Sequence, residues 1–166
     1  MDLEERVARL ERRMAELEGA ERTAPAPAEG EFWALEGLKA QLAGLGAADG
    51  GVLFTGAVRL PTGHRYEWQT GAVAEDLFDR DWSGAADSFA ALGHPVRLRL
   101  LREILGGRCT AAALAELEET GTTGQIYHHL RQLTGAGWLH TTGRGRYEVP
   151  AGRVVPLLVL LSAARP

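Results

Sequence analysis

Polar side chains recur at helical spacing in residues 122–136, which read TTGQIYHHLRQLTGA. Ile126, Leu130 and Leu133 repeat every three or four residues, so they line one side of a helix. The other side presents hydrogen-bonding groups at Gln125, Tyr127, His128, Arg131 and Gln132. Gln can read adenine and Arg can read guanine through paired hydrogen bonds, each worth roughly 1–3 kcal/mol of discrimination. These residue types at this spacing predict a helix that enters the major groove of DNA.

The residues before this helix predict how it begins. Thr122 and Gln125 have the capping-box spacing, in which each side chain bonds the other residue's free amide group. A shorter helix, TAAALAELEET, precedes them, and we expect Thr110 to cap it and Gly121 to end it. Two helices joined by a tight turn that contains glycine form a helix-turn-helix unit.

Residues 138–149, WLHTTGRGRYEV, have the pattern of a short hairpin with a basic tip. Trp138, Leu139, Tyr147 and Val149 alternate at its base, and the tip reads Gly-Arg-Gly-Arg. Glycine permits a sharp turn and leaves Arg144 and Arg146 exposed. A basic ribbon beside a recognition helix can reach phosphate or a minor groove, so the segment is predicted to be a wing.

Three histidines and one cysteine raise the alternative of metal or catalytic chemistry. His128 and His129 are adjacent on the helix and point about 100° apart, so they are poorly placed to chelate one metal. We expect His128 to face outward and His129 to pack at the edge of the core. His94, just before Pro95, is expected to cap the next helix, with phosphate contact as the alternative. The lone Cys109 is expected to be a small buried residue, and no catalytic constellation is present, so an enzyme is not predicted.

The first 18 residues predict a short coiled-coil helix. Apolar residues alternate at spacings of four and three, as in a heptad seam, at Leu3, Val7, Leu10, Met14 and Leu17. In a parallel homodimer Arg6 and Arg13 would face Glu11 and Glu18. The alternative is a solitary amphipathic helix that lies on its own domain. Residues 19–30, rich in Ala, Pro and Gly, are interpreted as a linker.

Residues 31–79 predict a helix at 31–45 followed by a β-hairpin over 52–69 with a Pro-Gly turn. The first interpretation of the hairpin is a sheet that supports a dimer. The alternative is a small effector pocket lined by Phe54, Tyr66 and Trp68.

Charge is divided unequally along the 166 residues. Residues 1–79 hold 8 basic and 15 acidic side chains, a balance of −7, whereas residues 80–166 hold 10 and 7, a balance of +3. A basic C-terminal half is the electrostatic footprint expected of a segment that meets phosphate. No long apolar run or secretory signal is found, so no membrane partner is expected and a cytoplasmic location is predicted.

Three stretches of the C-terminal half resemble ArsR-type winged-helix regulators, with a second similarity to the PadR and MarR groups. They are FAALGHPVRLRLLREIL, TTGQIYHHLRQLTGAGWL and the glycine-flanked wing, and the resemblance covers about residues 86–164. It implies a dimeric repressor that binds a palindromic operator. The contacts it implies are Thr123, Gln125, Tyr127, His128 and Arg131 in the groove, and Arg144 and Arg146 on the wing.

The resemblance also implies roles for two other segments. Arg97 lies near the helix start where members of the family meet DNA, although Arg97, Arg99 and Arg102 also suit a solvated helix face. The C-terminal VVPLLVLLSAA would be a dimerisation helix, with Leu157, Leu158 and Leu161 against a second subunit. Metal-sensing members carry paired cysteines in the third helix or acidic and His ligands on the last helix, and this chain has neither.

Together these observations predict an α+β, mainly α, fold with four segments. They are a coiled-coil helix (1–18), a linker (19–30), a helix plus β-hairpin for dimerisation or sensing (31–79), and a winged helix-turn-helix domain (80–166). The predicted function is a homodimeric repressor that reads double-stranded DNA through helix 122–136 and wing 138–149, without a cofactor. The alternatives left open are a winged helix used for protein interaction and a small-molecule effector that acts on residues 31–79.

Overall fold

The computed structural model describes residues 6, 7, 9, 32–117, 121–143 and 145–164. The chain divides into two compact units, Met1–Gly50 and Gly51–Pro166. The predicted linker and the coiled-coil residues Leu3, Leu10, Met14 and Leu17 lie outside the described residues. Val7 is described, and its side chain is exposed.

In the first unit the predicted helix at 31–45 is present as α1 (Trp33–Leu45). It ends at Gly46, whose positive φ of 69° lets its amide group bond back to the carbonyl oxygen of Ala43. Lys39 donates a hydrogen bond to Glu36 at 2.8 Å on the helix surface. No side chain of α1 is buried, so this amphipathic helix has an uncovered apolar side.

The second unit contains eleven elements among its described residues. In chain order they are β1 (Gly51–Arg59), β2 (Arg65–Val73), α2 (Ala74–Phe78), a 3-10 turn (Trp82–Ala85), α3 (Ala86–Leu92), α4 (Pro95–Leu105), α5 (Ala111–Ala115), α6 (Thr123–Gly135), β3 (His140–Thr141), β4 (Tyr147–Glu148) and α7 (Ala151–Ala163). The architecture is the predicted α+β, mainly α, winged helix-turn-helix fold.

The core of this unit is built by α4, α5, α6 and α7. Its central side chains have no solvent exposure, and they are Leu100, Leu114, Ile126, Leu130, Leu133, Val154 and Leu157. Trp138 ties the wing to α3, because its indole N–H donates to the carbonyl oxygen of Ser88 at 3.0 Å. The guanidinium of Arg153 lies 4.7 Å from the centre of the Trp138 ring. Cys109 is buried, as predicted.

The predicted hairpin is present as an antiparallel pair of β1 and β2, closed by a turn at residues 60–64. One face of it packs on α7. A Cβ atom added at Gly56 would lie 2.6 Å from Cγ1 of Val155, and one added at Gly152 would lie 3.4 Å from the Trp68 ring. Glycines at both positions therefore allow the hairpin and the helix to approach closely.

The structure differs from the sequence interpretation in three places. Helix α5 is described only over Ala111–Ala115, shorter than the predicted TAAALAELEET, and residues 118–120 lie outside the described part. The hairpin belongs to the same compact unit as the winged helix, because α7 covers one of its faces.

The third difference concerns α7. Leu157, expected at a dimer surface, is fully buried in its own chain, while Leu158 is half-buried and Leu161 is 40% exposed. The apolar character of α7 is thus partly explained by the hairpin and the core of the same chain.

Candidate nucleic-acid interface

Helix α6 is fixed at its N-terminus by the predicted capping box. The Thr122 hydroxyl accepts a hydrogen bond from the amide of Gln125 at 3.4 Å, and the Gln125 side-chain oxygen accepts one from the amide of Thr122 at 2.8 Å. Ile126, Leu130 and Leu133 anchor the inner side of the helix with no exposed surface. The helix is therefore held rigidly on the core while its outer side stays free.

The outer side of α6 carries the side chains predicted from the sequence. All six are exposed, namely Thr123, Gln125, Tyr127, His128, Arg131 and Gln132. The side-chain oxygen of Gln125 is also within 3.3 Å of the Thr122 hydroxyl, so the capping box already uses it. A bidentate contact to adenine requires that oxygen as well as the amide nitrogen. Gln132 is the glutamine of this face that does not share in the capping box.

Arg131 lines an open cleft of about 420 Å³ between α3 and α6. Arg97 lines the same cleft, and its guanidinium donates hydrogen bonds to the carbonyl oxygens of Ala91 at 2.5 Å and Ala90 at 2.7 Å. These carbonyls lie in the last turn of α3, where backbone oxygens lack helical partners. Arg97 therefore holds the end of α3, a role that neither sequence interpretation of this residue included.

Three histidines form a cluster that extends from the start of α4 to the recognition surface. His94 caps α4 as predicted, because its Nδ1 accepts a hydrogen bond from the amide of Val96 at 3.2 Å. The centre of its ring lies 4.6 Å from that of His129, and the His128 ring lies 5.8 Å from His129. The arrangement joins the start of α4 to the inner edge of α6.

His129 is the most constrained member of this cluster. Its Nδ1 is buried and has no hydrogen-bond partner among the described residues. Burial lowers the pKa of His129 below its ordinary value of 6.5. The nearby positive groups of His94, Arg97 and His128 lower this pKa further. The fold therefore disfavours the protonated form of His129.

The wing consists of β3, β4 and the turn between them. Gly143 and Gly145 adopt φ values of 95° and 68°, which glycine tolerates best. The amide of Arg146 donates to the carbonyl oxygen of Gly143 at 3.1 Å, and Arg146 also pairs with Thr110 as an isolated bridge before α5. The Arg146 side chain is exposed at the wing. Arg144, the other predicted wing contact, lies outside the described residues.

The three aromatic residues of the predicted effector pocket share one face of the hairpin. Phe54 is half-buried there, and Trp68 is 43% exposed beside a shallow depression. Tyr66 lines a different cleft, under the wing. Sequence reasoning missed that cleft because its walls come from segments far apart in the chain.

Sequence reasoning also missed the exposed aromatic segment 78–89. Phe78, Trp82 and Phe89 are 75%, 66% and 59% exposed. The Trp82 indole N–H donates to the carbonyl oxygen of Leu77 at 2.8 Å, and the Phe78 and Trp82 rings lie 5.9 Å apart. Three large aromatic residues within twelve positions were the signal that could have identified this surface.

The described residues contain no group of three or more His, Cys, Asp or Glu side chains that could hold a metal ion. In the same part of the chain, no helix has both the length and the apolar character needed to cross a bilayer.

In a comparison with protein families, residues 92–141 match a helix-turn-helix domain. The match begins at the end of α3 and runs through α4, α5, α6 and β3. It supports a DNA-binding helix-turn-helix domain of a family related to the ArsR type. No curated protein and no solved structure matches the chain.

Proposed function

We propose that this protein is a homodimeric transcriptional repressor that reads an inverted repeat in double-stranded DNA. The observation that carries the proposal is the outer side of α6, where six polar side chains are exposed on a helix whose inner side is fully buried. A helix held in this way can present donors and acceptors to base edges without losing much conformational freedom on binding. The match to a helix-turn-helix domain supports the same conclusion.

Within this proposal the contacts divide into two classes. His128, Arg131 and Gln132 face the base edges, since they lie on the exposed side of α6. Arg144 and Arg146 on the wing contact phosphate or the minor groove, where they would add affinity with little sequence preference. Gln125 contributes mainly through the capping box, because its side-chain oxygen accepts the Thr122 amide.

Dimerisation is proposed from the apolar surface that the described residues leave uncovered. Leu161 on α7 and the apolar side of α1 are both exposed. A symmetric dimer presents two recognition helices, so its operator would be an inverted repeat with half-sites about 10–10.5 base pairs apart or a multiple of that spacing. The resemblance to ArsR-type regulators supports repression over activation.

The test is selection of bound duplexes from a random pool with the purified full-length protein, followed by sequencing. We expect enrichment of one inverted repeat. Arg131→Ala should weaken binding to the selected duplex by about 5- to 150-fold, as expected for loss of a base contact worth roughly 1–3 kcal/mol. The matched control is Arg102→Ala on α4, whose side chain is 82% exposed and pairs only with Glu103 at 3.5 Å among the described ion pairs. Equal losses in both variants would contradict a specific role for Arg131.

A second candidate function is protein interaction, which the exposed aromatic segment 78–89 favours. The two functions differ in the salt dependence of binding. A phosphate-binding protein loses affinity steeply as salt rises, and removal of one phosphate contact lowers the logarithmic slope by about 1. Arg146→Ala should therefore reduce the slope for DNA, whereas an apolar protein contact should respond to Trp82→Ala and little to salt.

A further inference from the structure

An open cleft of about 360 Å³ lies under the wing in the second unit. Its walls come from the turn of the β1–β2 hairpin, the C-terminal end of α4 and the wing strand β4. The volume falls within the range of roughly 300–1,000 Å³ that is typical of small-molecule sites. The cleft is separate from the outer side of α6, and of the three residues predicted to form an effector pocket, Phe54, Tyr66 and Trp68, it includes Tyr66 alone.

Apolar side chains from all three walls line part of the cleft. Leu60 comes from the hairpin turn, Ile104 and Leu105 from the end of α4, and Val149 from the residue after β4. Leu60 and Leu105 are only half-buried, so they retain apolar surface that a ligand could cover. This wall suits a hydrocarbon body of modest size.

Polar groups at the same cleft favour an anion. Arg146 and His64 both line it, and Thr62 orients the imidazole through a 3.1 Å contact between its hydroxyl and Nδ1. None of the ion pairs found among the described residues includes Arg146. Glu148 is the one carboxylate among the described lining residues, and it lies 4.0 Å from His140. The guanidinium is thus left for an external anion.

We propose that this cleft binds a small carboxylic acid with an aromatic or branched hydrocarbon body, and that the acid and DNA compete for the Arg146 guanidinium. The carboxylate pairs with Arg146, where two parallel hydrogen bonds are available. The hydrocarbon body packs on Leu60, Leu105 and Val149. The competition rests on the proposed function, whereas the ligand site does not.

The competition follows from the position of Arg146 in the wing. Its backbone is fixed from both sides, because its amide donates to Gly143 and its carbonyl oxygen accepts from Thr142, each at 3.1 Å. Arg146 lines the cleft and is also exposed at the wing. A guanidinium that pairs with a bound carboxylate is no longer available to contact phosphate, so the ligand should lower the affinity for DNA. By linkage, DNA should lower the affinity for the ligand by the same factor.

The site is tested first without DNA, by titration of the ¹⁵N-labelled full chain with 2-naphthoate followed by NMR. We expect amide shifts in residues 60–66, 104–109 and 146–149. Arg146→Gln should weaken binding by about tenfold or more, as expected for a lost charge-assisted pair worth roughly 1.5–3 kcal/mol. Leu60→Trp, which fills the cleft, should abolish the shifts, while Val52→Trp, an exposed position on β1, should not.

Two results would overturn the site. One is the absence of these shifts at millimolar 2-naphthoate, or their appearance only around the exposed aromatic segment 78–89. The other is equal or tighter binding of 2-naphthylmethylamine, since a cation would pair with Glu148 instead of Arg146.

The competition is then tested with the duplex selected above. Saturating 2-naphthoate should weaken DNA binding by no more than Arg146→Gln does, and it should have no further effect in that variant. An equal effect of 2-naphthoate on both proteins would overturn the competition. If the chain bound no duplex, the proposed function and the competition would both fail, while the NMR shifts would still decide the ligand site.

Discussion

The parts of the chain before and after Ala91 differ in where their apolar side chains lie. Every buried hydrophobic residue among those described lies at Ala91 or beyond. Of the twelve large hydrophobic residues that are exposed in the same part of the chain, ten precede Ala91, and only Tyr127 and Leu161 follow it. The winged helix after Ala91 therefore buries its own core, whereas the residues before it leave apolar surface uncovered.

This difference separates apolar side chains that are buried within the chain from apolar side chains that stay exposed. The helices after Ala91 are buried by contacts within one chain. Contiguous exposed apolar surface on soluble proteins commonly marks an interaction site. The formal charge changes along the chain as well, from −7 over residues 1–79 to +3 over residues 80–166. The basic C-terminal part is the one that contains the matched helix-turn-helix domain.

The largest expected effect is a difference in the free energy of unfolding between variants of a core leucine and of an exposed aromatic residue. Leu130→Ala removes a side chain with no exposure from α6, and we expect it to lower the free energy of unfolding by about 2–5 kcal/mol. Phe89→Ala, at 59% exposure, should change it by less than about 0.5 kcal/mol. Urea denaturation monitored by tryptophan fluorescence measures both.

The same experiment can contradict this difference between the two parts of the chain. A loss of stability in Phe89→Ala as large as that in Leu130→Ala would mean that Phe89 is covered. If that loss grew with protein concentration, the cover would be a second copy of the chain, because association stabilises the folded state by mass action.

The next largest effect concerns the junction between the two parts, where the hairpin packs on α7. Gly56→Ala places a Cβ 2.6 Å from Cγ1 of Val155, a stiff side chain that is itself buried. We expect a loss of about 1–3 kcal/mol in the free energy of unfolding, as for other overpacked sites. The matched control is Gly71→Ala on β2, where the nearest atoms are 3.4 and 3.5 Å away. Equal stability of the two variants would mean that the hairpin does not need to approach α7 this closely.

Signals that depend on neighbouring residues allowed much of the fold and site to be predicted. The caps at His94, Thr110 and Thr122, the apolar stripe of α6, the hairpin and the wing are all set within a few residues of sequence. Each of these features was found in the structure.

Features that depend on distant residues were not predictable in the same way. The bonds from Arg97 to the end of α3 and the burial of Leu157 require knowledge of which elements pack together. The cleft under the wing likewise joins Leu60 to Val149. A single sequence carries no direct signal for such pairs.

A smaller effect is expected at the start of the recognition helix α6, which lies in the part of the chain after Ala91. Thr122→Ala removes the hydroxyl that accepts the Gln125 amide, and we expect it to lower the free energy of unfolding by about 1 kcal/mol. Thr123→Ala is the control, since Thr123 is exposed and is the first residue of the helix rather than its cap. Thermal denaturation followed by circular dichroism compares them. An equal loss in both variants would contradict the capping role.

The smallest effect is a pH dependence that should arise in the part after Ala91, at the histidine cluster. The folded state lowers the pKa of His129, chiefly through burial, so the unfolded chain binds more protons just below the ordinary value of 6.5. The free energy of unfolding should therefore fall as the pH falls from about 6.5 through the lowered pKa of the folded state. Above that range the contribution of His129 to stability should be complete. Urea denaturation at a series of pH values measures this slope. His129→Gln should flatten the slope, while His94→Asn should keep the cap on α4, because Asn is a good N-cap, and remove one positive neighbour of His129. If His129→Gln kept the full slope, the group responsible for the pH dependence would lie elsewhere in the chain.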